Sequence, residues 1–311
     1  ARGYAITITG SADTTITNAV TFNNTGGLTF YNANYNFTGG ITYAGVLTTI
    51  GTAIITSNTP IALGNINNTG GNLVLTSNGG NITIGTVTNA VTNTYNFNLN
   101  SGAGTITLNG TIGAATPFNN ITIDSTGVGN NLVANNNMSA ASNILINIGG
   151  GISGSAVYTT NYFRIFSISG GTISLGNANN VATFYGVNNN GNLNFNNTGA
   201  LALDRLTVVG NVNITTNGAL TQTALAFTTN VSGTTTFSVG ANPITLTAPL
   251  FAGVGNVFTG ALTLSNSGAN DINILGTSNY ILAASNIGRS LTLSTNGTVT
   301  QTGAIVSANA G

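Results

Sequence analysis

The chain has 311 residues, a mass of 31.1 kDa and a charged fraction of only 3%, against about 25% for a typical soluble domain. Its eight charges are Arg2, Asp13, Asp124, Arg164, Asp204, Arg205, Asp271 and Arg289, and it contains no Lys, Glu, His, Cys or Trp. Without His or Cys the usual ligands of zinc, haem and iron–sulfur clusters are missing, and without Lys there is neither a Schiff base nor a P-loop lysine.

No cofactor is therefore expected. Zero net charge gives no counterion-release drive toward nucleic acid and no pull toward an anionic membrane. Disorder is excluded by a hydrophobic content of 41%, since disordered chains are poor in apolar residues. No apolar run approaches the ~18 residues of a membrane span, so no membrane insertion is expected. The sequence begins with neither Met nor a signal peptide and reads as processed or cut from something longer. The lack of Cys fits an extracellular protein that needs no disulfides.

Strand patterns run from one end to the other. Ala5–Thr9, Asn72–Thr76, Thr105–Leu108, Asn120–Ile123, Asn192–Phe195, Asn211–Ile214, Ala261–Leu264 and Ser290–Leu293 all alternate apolar with Thr, Asn or Ser. Period two places one set on one face of a strand. The expected inward set is Ile6, Ile8, Leu73, Leu75, Ile106, Leu108, Ile121, Ile123, Leu193, Phe195, Val212, Ile214, Leu262, Leu264, Leu291 and Leu293. Asn-Gly, Gly-Gly and Ser-Gly steps punctuate the runs. Good helix formers other than Ala and Leu are nearly absent.

The strands recur. Comparable starts fall at a nearly constant spacing at Asn72, Tyr95, Asn119, Ser142 and Phe163, and then less evenly at Asn192, Val212, Thr235 and Leu262. A longer echo aligns Val212–Thr223 with Leu291–Thr302. Fixed periods of about 20–50 residues mark solenoids, propellers or arrays, and a propeller blade needs about 40. The expected fold is all-β: a β-solenoid (β-helix) of about 13–14 coils of roughly 23 residues, one domain over 1–311, about 65 Å long at ~4.8 Å per coil.

Stacking also accounts for the composition. Like charges one coil apart repel by about 0.9 kcal/mol even at the dielectric of water. Stacked amides and hydroxyls can hydrogen-bond along the stack. Gly supplies positive φ at corners, and Asn tolerates it better than most residues. The chain has 52 Asn, 53 Thr and 43 Gly. A compact antiparallel sandwich would show the alternation but not the period.

The segments GNVNITTNGALTQT (210–223), VSGTTTFSVGANPITLT (231–247), VFTGALTLSNSGANDINI (257–274) and ILAASNIGRSLTLSTNGTVTQTGAIV (281–306) resemble repeats of giant secreted exoproteins of the filamentous-haemagglutinin type. GNLVLTSNGGNITIGTV (71–87) extends the likeness. The resemblance implies a right-handed parallel β-helix exported from a Gram-negative cell for adhesion or surface structure. The N-terminal secretion region of that family and a membrane barrel are not found in the sequence.

Chemistry-bearing constellations are sparse. The carboxylates Asp13, Asp124, Asp204 and Asp271 are far apart in sequence, which places neighbouring ones roughly 14–23 Å apart along a solenoid axis, whereas glycosidic acid–base pairs need about 5–9.5 Å. No enzyme activity is expected. No Gly-Gly-x-Gly-x-Asp calcium repeat occurs, so no metal is expected. Asp204 and Arg205 are read as a local corner contact. Thr-x-Thr runs such as Thr105–Thr107 and Thr245–Thr247 raise an ice-binding reading, but between about Thr122 and Thr207 the regularity fails. Asn-x-Ser/Thr sequons, among them Asn36, Asn120 and Asn213, arise by chance in such a composition.

One segment departs from the background, Tyr158–Phe166. A buried Arg164 would be costly, so Phe163 and Ile165 are expected inward, and Tyr162, Arg164 and Phe166 outward. Those three are the candidate ligand or partner contacts; the plainer reading is an aromatic patch covering a weak coil. The function expected is a structural and adhesive subunit or segment of an extracellular bacterial fibre, poor in trypsin sites. Its partners would be copies of itself, further repeats of the same chain, or host and surface glycans. A glycan- or ice-binding solenoid is the alternative. Ala5–Thr9 and Thr298–Ser307 are still regular strand patterns, so both ends are read as uncapped, with the coil of Gly311 stacking head to tail.

Overall fold

The computed structural model describes residues 2–10, 13–223, 228–247 and 255–307; Gly311 lies outside them. The described residues form short parallel strands stacked as a β-solenoid of about 14 turns with about 21 residues per coil, and no helix. The coil is thus slightly shorter than the spacing read from the strand starts between Asn72 and Ser142. Coil length also varies locally: the register partners Leu28 and Leu47 are closer in sequence than the register partners Thr235 and Leu262. The ladders are parallel, which rules out the antiparallel sandwich.

Two compact units divide the chain, Ala1–Thr160 and Asn161–Gly311. In the first, a coil contributes three strands to three columns. One column holds Ile6–Thr9, Leu28–Tyr31, Leu47–Ile50, Ile66–Gly70 and Val87–Asn89. A second runs from Thr14–Ile16 through Leu73–Thr76 and Phe97–Asn100 to Phe118–Ser125 and Met138–Ile148. The third runs from Val20–Phe22 through Ile82–Ile84 and Ile106–Leu108 to Ile152–Ser153.

In the second unit, Ile173–Asn188, Leu193–Asn197, Val212–Thr216, Thr235–Ser238 and Ala261–Ser265 stack in one column. Leu201–Val208, Leu220–Gln222, Ile244–Leu246, Ile272–Leu275 and Leu291–Ser294 stack in another. Thr229–Val231 and Val257–Phe258 continue the distal half of Leu201–Val208.

The predicted starts share columns. Leu73, Phe97, Ile121 and Ile144 are successive partners, and so are Leu193, Val212, Thr235 and Leu262. The Val212/Leu291 echo behaves differently. Leu291 pairs with Ile272 in the other column of the unit, so the same local text serves two faces.

Twelve of the sixteen predicted inward residues are buried, from Leu73 to Leu264. Ile6, Ile8, Leu291 and Leu293 point inward but are half-buried. Their strands are covered by a neighbouring coil on one side, by Leu28–Tyr31 and Ile272–Leu275 respectively. Burying an aliphatic side chain of this size contributes about 1.5–3 kcal/mol, so the columns are the main source of cohesion. Aromatic rings fill wider sections by stacking: Phe30 on Phe37 at 5.8 Å, Phe97 on Phe118 at 5.5 Å, and Phe184 on Phe195 at 4.6 Å between centroids.

Asn performs three separate tasks. Outward amides form ladders, as where Asn120 donates to Asn96 at 2.9 Å and Asn143 donates to Asn120 at 2.6 Å. Asn residues that precede a strand accept the backbone N–H one coil along: Asn72 from Asn96, Asn81 from Thr105, Asn192 from Asn211, and Asn211 from Thr234. Each such bond satisfies a backbone donor at the point where the ladder begins. Third, all four described non-glycine residues with positive φ are Asn, at 32, 58, 78 and 93. Gly is required where coils touch at a corner. Gly71 has φ +74°, and a Cβ there would lie 2.5 Å from the Cα of Gly51.

Buried polar columns line some inner corners. The hydroxyls of Ser101 and Ser125 both donate to the carbonyl of Gly104 at 2.6 Å. Asn179, Asn197 and Thr216 are buried register partners. Charge is confined to the surface. Arg289 grips Asp271 through Nε, at 2.7 Å, and through Nη2, and the Ser290 hydroxyl adds a bond of 2.6 Å. These partners hold the Asp271 carboxyl below the usual carboxylate range. Burial pushes the phenol of Tyr158 well above its ordinary value and that of Tyr280 up to about 12.

Leu193, 2% exposed between Ile173 and Val212, tolerates no charge: Leu193→Asp should cost several kcal/mol and unfold the local coils, seen as a lowered midpoint in thermal circular dichroism. The pH profile of that midpoint should be flat between about pH 5 and 9, because no His, Lys, Glu or Cys titrates. On the acid side the Asp271 contribution is present above about pH 4, where an unfolded carboxylate titrates, and fades as pH falls below it. On the alkaline side the buried phenols stabilise the fold below about pH 10, the unfolded value, and that stability is lost as pH rises toward their folded values.

Candidate functional site

The second unit brings three of its five charges, Arg164, Asp204 and Arg205, together with the Tyr162 and Tyr185 rings. Strand Tyr158–Ser167, whose residues 161–167 belong to this unit, alternates from Phe163 onward: Phe163 and Ile165 are fully buried, while Arg164 and Phe166 are outward and half-buried. Tyr162 is also outward and half-buried. The orientation of all five residues is as the sequence predicts. Phe163 packs against Phe184 with ring centroids 5.9 Å apart, which fixes the height of its neighbours on the outer face.

Two files of side chains result. In the first, two guanidinium groups approach the Tyr185 ring, Arg164 and Arg205 each 5.8 Å from its centroid. Tyr185 and Arg205 are register partners. Arg205 is held further by its Nη1, which donates to the Tyr185 hydroxyl at 3.2 Å, and by its Nε, which donates to Thr207 Oγ1 at 3.3 Å. Such cation–π contacts contribute about 0.5–1 kcal/mol each when partly exposed.

In the second file, the Tyr162 hydroxyl donates to Asp204 Oδ2 at 2.8 Å, and Thr223 Oγ1 donates to Asp204 Oδ1 at 3.2 Å. Burial, and next the Asp204 carboxylate that accepts its proton, push the Tyr162 phenol up. Asp204 and Arg205 are both outward because the alternation slips by one residue there, opposite the step from Phe184 to Tyr185. The corner anticipated at this pair is a strand irregularity that sends the two charges to different partners, Tyr162 and Tyr185.

Sequence reasoning singled out Tyr162, Arg164 and Phe166 and did not join Tyr185, Asp204 and Arg205 to them as neighbours. The signal was available, because Arg164, Tyr185 and Arg205 follow one another in the sequence at steps of one coil length. Phe166 stands two positions beyond Arg164 on the same outward side.

The remaining carboxylates are scattered. Asp124 has Asn100 and Asn147 as register partners, and Asp13 accepts a bond of 2.9 Å from Asn34. Among the described residues no three carboxylates converge as a metal site would need. On the first unit a groove of about 270 Å³ is lined by Thr42, Tyr43, Ala44, Ala62, Leu63, Gly64 and Thr83. It offers hydroxyls and apolar surface but no charged group.

Residues 190–265 match a family model described as repeats of unknown function (DUF5649). That stretch spans the strands from Leu193–Asn197 to Ala261–Ser265 and contains Asp204 and Arg205, but not Tyr162, Arg164 or Tyr185. Comparison with curated proteins and with solved structures finds no match.

Proposed function

We propose that the chain is a structural and adhesive segment of an extracellular bacterial fibre, joined to other coils by parallel stacking along the solenoid axis. Its partners in this reading are copies of itself or further repeats of one long polypeptide. The observation that carries the reading is the parallel, in-register stacking of coil on coil, which sets strand backbone and apolar side chains at the spacing another parallel coil requires.

Composition supports the same reading. Only eight charged residues occur in the chain, so few charges oppose contact along the axis, and Arg289 is already engaged by Asp271. Contacts between unlike surfaces that do not close on themselves propagate as filaments. The resemblance to filamentous-haemagglutinin-type repeats favours a secreted location and an adhesive setting. The lack of His, Cys, Glu and Lys, and the wide spacing of the four Asp in the sequence, favour a mechanical role over an enzymatic one.

Sedimentation and electron microscopy of the purified chain at micromolar concentration test the proposal. The expected result is a series of species heavier than the 31.1 kDa of one chain, lengthening with concentration and shortening in Val306→Asp, at a position more than half exposed. A monodisperse monomer whose outermost coils resist hydrogen exchange would contradict self-stacking.

A further inference from the structure

We propose that one outward face of the second unit binds the surface of ice. The face is formed by Leu193–Asn197, Val212–Thr216, Thr235–Ser238 and Ala261–Ser265, which stack in parallel without a shift of register. This goes beyond the stacking reading and does not depend on it.

The first argument is what the face presents. One outward file holds the register partners Asn194, Asn213, Thr236 and Thr263, and the other holds Asn196, Thr215, Ser238 and Ser265. All eight are exposed or half-buried, and the residue between each pair points into the core. Neither a charge nor an aromatic ring interrupts either file. The comparable pair of files on the first unit is broken, because Thr7, Thr29 and Thr48 stand beside Thr9, Tyr31 and Ile50. A count of Thr-x-Thr runs passes over the second-unit face because Asn and Ser share in it.

Free hydrogen-bonding capacity is the second. Asn213 donates to Asn194 at 3.2 Å, and Asn196 donates to the carbonyl of Gly176 at 3.3 Å. The hydroxyls of Thr215, Thr236, Ser238, Thr263 and Ser265 have no hydrogen-bond partner among the described residues. A hydroxyl donates and accepts at once, as does every water molecule in ice. A charged group would turn the waters around it one way and break that lattice.

Spacing and rigidity are the third. Neighbours along a file are one strand spacing apart, about 4.8 Å, and the two files are two residues apart, about 6.6 Å. Both values are close to the distances at which oxygen atoms repeat on the faces of ice. The grid is also held in advance. Phe195, Ile214, Phe237 and Leu264, between the two files, are fully buried and fix the strands from below. The β-branched Thr side chains have few rotamers to lose, so docking costs little entropy. A sugar chain is a poorer fit, since the face has no ring to pack against its C–H surfaces.

The test is thermal hysteresis and ice-recrystallisation inhibition by the full chain, with titration by a neutral cello-oligosaccharide beside it. The parent should facet ice crystals, open a hysteresis gap that widens with concentration, and leave the sugar unbound. Thr236→Tyr, which raises a bulky ring in the middle of the grid, should lose most of the gap. Thr236→Ser, which keeps the hydroxyl and removes only the methyl, should lose part of it. Thr122→Tyr, an outward position on the first unit, should match the parent. Thermal circular dichroism checks that each variant is folded, and Thr236→Ser decides the matter if Thr236→Tyr does not fold. A parent that neither facets ice nor slows its recrystallisation overturns the proposal. So does a gap unchanged in both Thr236 variants, or one lost equally in Thr122→Tyr. Saturable sugar binding that Thr236→Tyr abolishes would give the face to a glycan and overturn the ice assignment.

Discussion

Parallel in-register stacking at one strand spacing is the constraint on which everything else depends. A residue placed at any position meets its register partners about 4.8 Å above and below. Along one outward file of the first unit those partners are Thr7, Thr29, Thr48, Asn67 and Thr88. Side chains that gain from such company accumulate, and those that suffer are removed. Amides and hydroxyls can donate and accept at once, so they extend along a file without frustration. Like charges repel at every step. The 3% charged fraction and the abundance of Asn and Thr are two expressions of this one geometry.

The same constraint shapes the interior and the corners. Inward apolar files run through the described coils, and buried Ser, Thr and Asn close corners by bonding to turn carbonyls. Asn before a strand carries a backbone N–H of the adjacent coil, which explains why Asn so often precedes the aliphatic residue that starts an alternating run. Gly51 and Gly71 stack where a side chain would collide with backbone. None of these devices requires a charge, and the few charges present are placed outward.

Much of this is legible in the sequence, because alternation with period two needs no tertiary information. The run Asn72–Thr76 and its successors mark a true column. What escapes is set by pairing rather than by local pattern. The strand Met138–Ile148 turns a corner with Ala141, Ser142 and Asn143 all half-buried on the outer side, and alternation alone does not announce that turn. The Val212 and Leu291 segments read alike yet occupy different columns, since an apolar alternation specifies a face toward the interior but not which face. The candidate site was half visible for a related reason. Arg164 and its aromatic neighbours stand out as a local cluster, whereas Tyr185 and Arg205 join them only through the coil period. Asp204 reaches Tyr162 through a slip in register that no spacing rule contains.

The central claim, that register stacking forbids like charges, is tested most directly by a double-mutant cycle on Thr29 and Thr48. These residues are outward, half-buried register partners on adjacent coils. Thr29→Glu, Thr48→Glu, the double Glu variant and the Glu/Lys combination would be compared by denaturant unfolding. The account predicts that the two Glu changes together cost more than their sum by about 1 kcal/mol, that salt reduces the excess, and that the Glu/Lys pair reverses its sign. Simple additivity in all combinations would show that neighbouring coils do not feel each other's charge, and would contradict it.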